Sequence, residues 1–391
     1  MSDWPRVPLS SVATIYDGPH ATPKKVSQGP WYLNIASLQS GRLVLADSYH
    51  ISYSDFPRWT RRVEPRYGDL LFSYETRIGD AALMPSGLQA CLGRRMGLLR
   101  PISSAVKPRF LLYAYLGPEF QETLRRQTIF GATVARLPIS EMGQWELPIP
   151  PLNEQAAIAD VLGALDDKIE ANDRTLSAID ALVRAEVAGA QLAADSEIPL
   201  GDLVRRVSDV AKPAALSATT LYVGLEHMTR SSIFLREWGS GDGLASAKSR
   251  FEGGDILFGK LRPYFKKIAV APAPGVCSTE VLVLRPRVAD QAAFSSVVCA
   301  SDEVVDYASS GSQGTRMPRV SWEYLSRFRL QVPSATALEA LHRRIAPQVH
   351  LGVRLPWQSR ALAQLRDALL PKLLSGELRV CEAERLVEGA T

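Results

Sequence analysis

The chain has 391 residues, 46% of them hydrophobic and 22% charged, with a net charge of +4. That length and balance exclude a disordered chain and a single small domain, and they leave room for two or three hydrophobic cores. The mild positive charge permits nucleic-acid binding without requiring it.

The opening Met1-Ser2-Asp3-Trp4-Pro5-Arg6 lacks the pattern of a secretory signal, and no stretch approaches the ~20 apolar residues of a membrane span, so a cytoplasmic protein is expected. Residues 1–150 read as a compact α+β domain. Short β-like runs such as Arg42-Leu43-Val44-Leu45 alternate with Gly, Pro and Ser, and the clearest helical piece runs from Pro108 to Arg126. The segment begins Val7-Pro8-Leu9-Ser10, passes Gly68-Asp69-Leu70-Leu71-Phe72-Ser73, and ends Leu147-Pro148-Ile149-Pro150.

Residues 151–195 carry a different signal. Apolar residues fall at Ile158, Leu162, Leu165, Ile169, Leu176 and Ile179 in alternating steps of four and three, with Asn172 in the seam, while Asp160, Asp166, Asp167, Lys168 and Glu170 lie between. That is a heptad pattern, and a seam asparagine disfavours partners that cannot hydrogen-bond to it. The alternative is an amphipathic helix packed on a globular body. A helix from Leu152 to about Val187 would span on the order of 50 Å, enough to separate two units reading DNA sites one turn, ~34 Å, apart.

The first signposts then recur in the same order, roughly 185 residues on. Residues 196–333 begin Ile198-Pro199-Leu200-Gly201-Asp202, pass Gly254-Asp255-Ile256-Leu257-Phe258-Gly259 and end Leu330-Gln331-Val332-Pro333, with Val281-Leu282-Val283-Leu284 as a strand signal. Residues 334–380 repeat the helical spacer less regularly. Leu338, Leu341 and Ile345 start a seam that resumes at Leu355, Leu362, Leu365 and Leu369. Pro347 and Pro356 predict a kink or break, with an intact helix from Pro356 toward Leu374 that Pro371 ends or bends. Residues 381–391 are left as a tail.

Two places in each copy carry contact chemistry. After the repeated Gly-Asp strand come Tyr74, Thr76 and Arg77 in the first copy, and Lys260, Arg262, Tyr264 and Lys266 in the second. Ahead of each spacer stand Thr133 and Arg136, and Gln313, Thr315, Arg316 and Arg319. Cations beside hydroxyls, amides and rings can reach phosphates and base edges. Their ordinary alternatives are solvated hairpin tips and a Gly-rich turn leading into Ile139-Ser140 or Val320-Ser321 strands. Arg58, Arg61 and Arg62 near Trp59, together with Lys24-Lys25, Arg94-Arg95 and Arg125-Arg126, are candidate phosphate patches or plain solvated surface.

Other chemistry is not indicated. Cys91, Cys277, Cys299 and Cys381 lack CxxC spacing, and His20, His50, His227, His342 and His350 are scattered, so reduced structural thiols and no metal are expected. There is no Asn/Asp-Pro-Pro-aromatic methyltransferase motif, no GxxxxGK[ST] phosphate cradle and no Glu-x-Lys nuclease cluster.

The helical motifs point to a family. Pro150-Pro151-Leu152-Asn153-Glu154-Gln155-Ala156-Ala157-Ile158-Ala159 with Leu165-Asp166-Asp167-Lys168-Ile169-Glu170, and Arg366-Asp367-Ala368-Leu369-Leu370-Pro371-Lys372-Leu373-Leu374-Ser375-Gly376-Glu377-Leu378, resemble the central and distal conserved regions of specificity subunits of type I restriction-modification enzymes. The resemblance implies two target-recognition domains separated by long helices that pair as an antiparallel coiled coil. It also implies a non-catalytic subunit that reads one half of a bipartite DNA target with each domain. Two modification subunits using S-adenosylmethionine, and restriction subunits using ATP and Mg, would be its partners. The other readings are a coiled-coil scaffold or interaction protein without DNA specificity, and a stand-alone DNA-modifying enzyme, for which the motifs are missing.

Overall fold

The computed structural model describes residues 4–131, 134–194 and 196–389. They fall into two compact units, Met1–Asp167 with Leu362–Thr391, and Lys168–Ala361.

In the first unit a four-stranded antiparallel sheet has the order Ala13–Asp17, Met96–Pro101, Leu70–Ser73, Ala81–Leu83. The second unit repeats it with Val204–Val207, Val281–Pro286, Ile256–Gly259 and Ile268–Val270. The repeated signposts explain the shared layout. Arg6–Pro8 pairs with Glu146–Pro148, and Ser196–Pro199 with Arg329–Val332, so each opening phrase is stitched to its closing phrase. A second sheet in each unit contains one parallel pair, Trp31 and Tyr32 beside Ala90 and Cys91, and Leu221–Val223 beside Gly275–Cys277.

The Gly-Asp phrase is a turn with a buried charge. Gly68 and Gly254 have φ of 83° and 87°, which only glycine adopts without strain. The next residue, Asp69 or Asp255, is buried and accepts a backbone N–H from Arg66 or Glu252 at 2.8 and 2.7 Å. Two-pronged pairing neutralises each carboxylate, from Arg100 at 3.0 and 2.7 Å and from Arg285 at 2.7 and 2.8 Å.

The central helix, Leu152–Leu192, has 41 residues and the distal helix, Ala335–Leu374, has 40. Each is shared between the units. In the second unit they run antiparallel, because Asn172 meets Gln358 and Ser359 at 3.1 and 3.2 Å while Glu186 meets Arg344 at 3.1 Å. In the first unit Asp166 meets Arg366 at 2.7 Å. Of the seam residues Ile158, Leu162, Leu165, Asn172, Leu176, Ile179, Leu362 and Leu369 are buried, whereas Ile169 and Leu365 are half-buried. Gln155 is fully buried and ties the start of the central helix to the chain around it. Its amide donates to the carbonyls of Pro150 and Ala105 and accepts from the Lys107 N–H.

Several local expectations are corrected. The distal helix runs through Pro347, Pro356 and Pro371 without a break. Each proline removes a backbone donor at about 3 kcal/mol, but Leu338, Leu341, Ile345, Val349 and Leu355 are buried in the second unit, and Leu369 and Leu373 in the first, at roughly 1.5–3 kcal/mol each. The 108–126 segment is two helices, Pro108–Leu116 and Pro118–Gln127, divided at Gly117-Pro118 because the residue before a proline leaves the helical region. Val44 and Leu45 leave the strand Arg42–Leu43. Ile139-Ser140 is a turn, and Ser321 caps the short helix Trp322–Leu325 by accepting the Tyr324 N–H. The last residues include a further helix, Val380–Glu388.

Candidate nucleic-acid interface

In each unit the fold brings together the two loops whose chemistry stands out in the sequence. In the first, the Leu137 N–H donates to the Tyr74 carbonyl at 2.9 Å, and Glu75 forms a β-bridge with Arg136. In the second, the Val320 N–H donates to the Lys260 carbonyl at 3.1 Å, and Leu261 bridges Arg319. These pairings set the equivalences Tyr74 with Lys260, Glu75 with Leu261, Thr76 with Arg262, and Arg136 with Arg319. Thr76 and Arg262 share a left-handed backbone, φ 68° and 50°, which turns the chain outward at the same place.

The first unit presents Thr76 and Arg77. Arg95 anchors that loop by donating to the Thr76 hydroxyl at 3.1 Å and pairing with Glu75 at 2.5 Å, and Arg77 pairs with Asp80 at 2.6 Å. Tyr74 turns inward. Its ring is buried near Asp17, and both burial and that carboxylate raise its pKa, so it supports the loop from beneath. Arg136 is exposed, and Thr133 lies outside the described residues.

The second unit presents more cations. A hairpin closed by reciprocal backbone bonds between Gln313 and Arg319, 3.0 and 2.9 Å, exposes Thr315 and Arg316. Arg262 fastens the two loops, its N–H donating to the Pro318 carbonyl at 2.8 Å and its guanidinium to the Arg316 carbonyl at 3.0 Å. Arg319 is held by both oxygens of Glu280 at 2.8 and 3.0 Å, and that hydrogen bond draws the Glu280 pKa below its usual value. Lys266 pairs with Asp302 at 2.6 Å, while Tyr264 is 52% exposed with its ring 4.8 Å from Phe265.

Residues 1–181 match the type I restriction modification DNA specificity domain. The likeness continues beyond them. Over 353 residues the chain is 23% identical to the type I restriction enzyme MjaIX specificity subunit of Methanocaldococcus jannaschii, covering 82% of this chain and 80% of the relative. Over 141 residues it is 27% identical to the type I restriction enzyme EcoDI specificity subunit of Escherichia coli, 35% of this chain and 31% of that subunit. A solved type-I restriction-modification system S subunit from M. genitalium has the same fold, with a TM-score of 0.61 and 17% identity over 95% of this chain and 96% of that one.

Some residues of these loops and their supports were not singled out in the sequence, and Arg95 was read only as part of a candidate phosphate patch. Ile129 and Phe130, the latter 82% exposed, pair as a short strand with Ala135–Arg136 beside the Tyr74–Arg77 loop. Arg95 and Glu280 anchor the loops from equivalent places, since the Tyr74 and Lys260 N–H groups donate to their carbonyls at 3.2 and 3.0 Å. Phe130 carried a readable signal, an aromatic directly ahead of the Gly131 turn. Among the described residues, no three His, Cys, Asp or Glu side chains come together as a metal site, and no helix is long and apolar enough to cross a membrane.

Proposed function

We propose that this chain is the sequence-reading subunit of a type I restriction-modification complex, with recognition domains at 1–150 and 196–333 and helical spacers at 151–195 and 334–380. It binds DNA and is not itself a catalyst. The observation that carries the reading is the same two-loop assembly in both units, built on the same turn and carrying different side chains. A repeated scaffold with different chemistry at its tips suits a target whose two halves differ in sequence.

In this reading Thr76, Arg77, Thr133 and Arg136 face the first half-site. Lys260, Arg262, Tyr264, Lys266, Gln313, Thr315, Arg316 and Arg319 face the second, with Tyr74 as a support. Two modification subunits supply S-adenosylmethionine-dependent adenine methylation, restriction subunits supply ATP- and Mg-dependent cleavage, and the complex works in the cytoplasm. The test is binding of the purified chain to a randomised duplex pool at several salt concentrations. Enrichment of one split motif with affinity that falls as salt rises supports the reading. Salt-independent or sequence-blind binding would favour a scaffold.

A further inference from the structure

We propose that Lys25, Arg58 and Arg94 form a phosphate-binding track on the first unit that extends its reading loop. The inference rests on the DNA-reading role above. Tyr32 links the segments that carry the three cations. Tyr32 stacks on Tyr49 at 4.8 Å, and Lys25 lies over the Tyr49 ring at 4.4 Å. Tyr32 also meets Trp59 edge-on at 6.1 Å, and Arg58 lies 6.0 Å from the centre of the Trp59 ring. The Tyr32 hydroxyl accepts the Arg94 backbone N–H at 2.8 Å and donates to the Ala21 carbonyl at 3.2 Å, which ties the main chain that carries Arg94, and the His20 loop, to the same centre.

The cluster adjoins the reading loop. Arg94 directly precedes Arg95, which holds Glu75 and Thr76. Arg62 donates to Asp17 and to the Gly18 carbonyl, both at 3.2 Å, and the Gly18 N–H is bonded to Met96 at 3.0 Å. Lys25, Arg58 and Arg94 are exposed, whereas the nearby Asp17 is engaged by Arg62 and His20, and Asp55 by Ser52. Aromatic rings lose little freedom on folding and hold long cationic side chains over an apolar base, so fewer rotamers are lost when a phosphate binds. In the second unit Val223 occupies the Tyr32 place, opposite Cys277 as Tyr32 is opposite Cys91, and it offers neither ring nor hydroxyl.

The test uses the full chain with its methyltransferase partner on a duplex carrying the mapped target. The triple variant Lys25→Gln, Arg58→Gln, Arg94→Gln should make the slope of log affinity against log salt shallower by about three, at ~0.9 per phosphate, with the methylated sequence unchanged. The charge-keeping triple Lys25→Arg, Arg58→Lys, Arg94→Lys should restore most of the slope, which separates lost contacts from misfolding. A wild-type slope in the glutamine triple overturns the proposal, as does a changed methylated sequence. Loss of methyltransferase binding without DNA reassigns the face to protein docking. If the wild-type chain shows no salt-dependent binding at all, the DNA-reading role fails first.

Discussion

At the scale of single residues, the two copies use the same backbone to hold different side chains. Arg262 and Arg316 sit where the second unit's loops are pinned together, so Arg262→Ala and Arg316→Ala should each weaken DNA binding by ~1–3 kcal/mol if they read bases, relaxing specificity only in the second half-site. Equal losses on every sequence would reassign them to phosphates. The Glu280 carboxyl is held below its usual pKa by Arg319, so the pair's contribution is complete above the ordinary carboxylate range and is lost as pH falls through the depressed value. Second half-site binding should therefore be flat from about pH 8 to about pH 5 and fall only below the ordinary Glu value near ~4.3, and Glu280→Gln should remove that acid limb. An unchanged acid limb in the variant would contradict the assignment. Burial pushes the Cys91, Cys277 and Cys299 thiols up to about 12, while Cys381 is exposed. Native alkylation followed by mass mapping should label Cys381 alone. Cations next to hydroxyls after a repeated strand mark these loops in the sequence, and the fold brings the two loops of each copy together. What was not legible depended on partners far away in sequence. Arg100 and Arg285 explain the Gly-Asp phrase, although the repeated Leu-Arg-Pro at 99–101 and 284–286 was there to be read, and nothing local to Tyr74 says that its ring turns inward.

At the scale of elements, the central seam could be read from its spacing, but the distal helix could not, because local propensity misjudged three prolines that tertiary burial overrides. Helix glycines show the same limit. A Cβ on Gly352 would lie 2.4 Å from the ring of buried Phe234, and one on Gly163 would lie 2.5 Å from the Arg109 guanidinium, which donates to the Gly163 carbonyl at 3.0 Å and pairs with Asp167. Gly352→Ala should therefore lower stability by about 1–2 kcal/mol by overpacking, despite a helix-propensity gain of ~1 kcal/mol. Thermal melting decides it, and a raised melting point would contradict the close packing. The same packing decides where the spacer can be lengthened. Leu176, Ile179, Val183 and Val187 belong to the second unit's core, so added turns between 170 and 185 would pull them out of place. Seven residues inserted between Asp167 and Lys168, matched by seven between Ala361 and Leu362, leave each unit's packing intact. They should lengthen the unread gap by about 10 Å, or roughly three base pairs, with both half-sites unchanged. A changed half-site would refute the spacer role.

At the scale of the whole molecule, the duplication was the most readable property, because the paired opening and closing strands and the Gly-Asp turn are short, local and repeated in order. Which loops the fold brings together was less readable, and so was the cluster around Tyr32, whose members come from residues 25 to 94. In the proposed function, two units of one non-catalytic chain specify the two halves of one split target. Mapping methylated adenines genome-wide, in the host and in a strain lacking only this gene, tests it most directly. One bipartite motif should lose methylation completely while all others persist. An unchanged map, in cells that express both this protein and a partner methyltransferase, would contradict it.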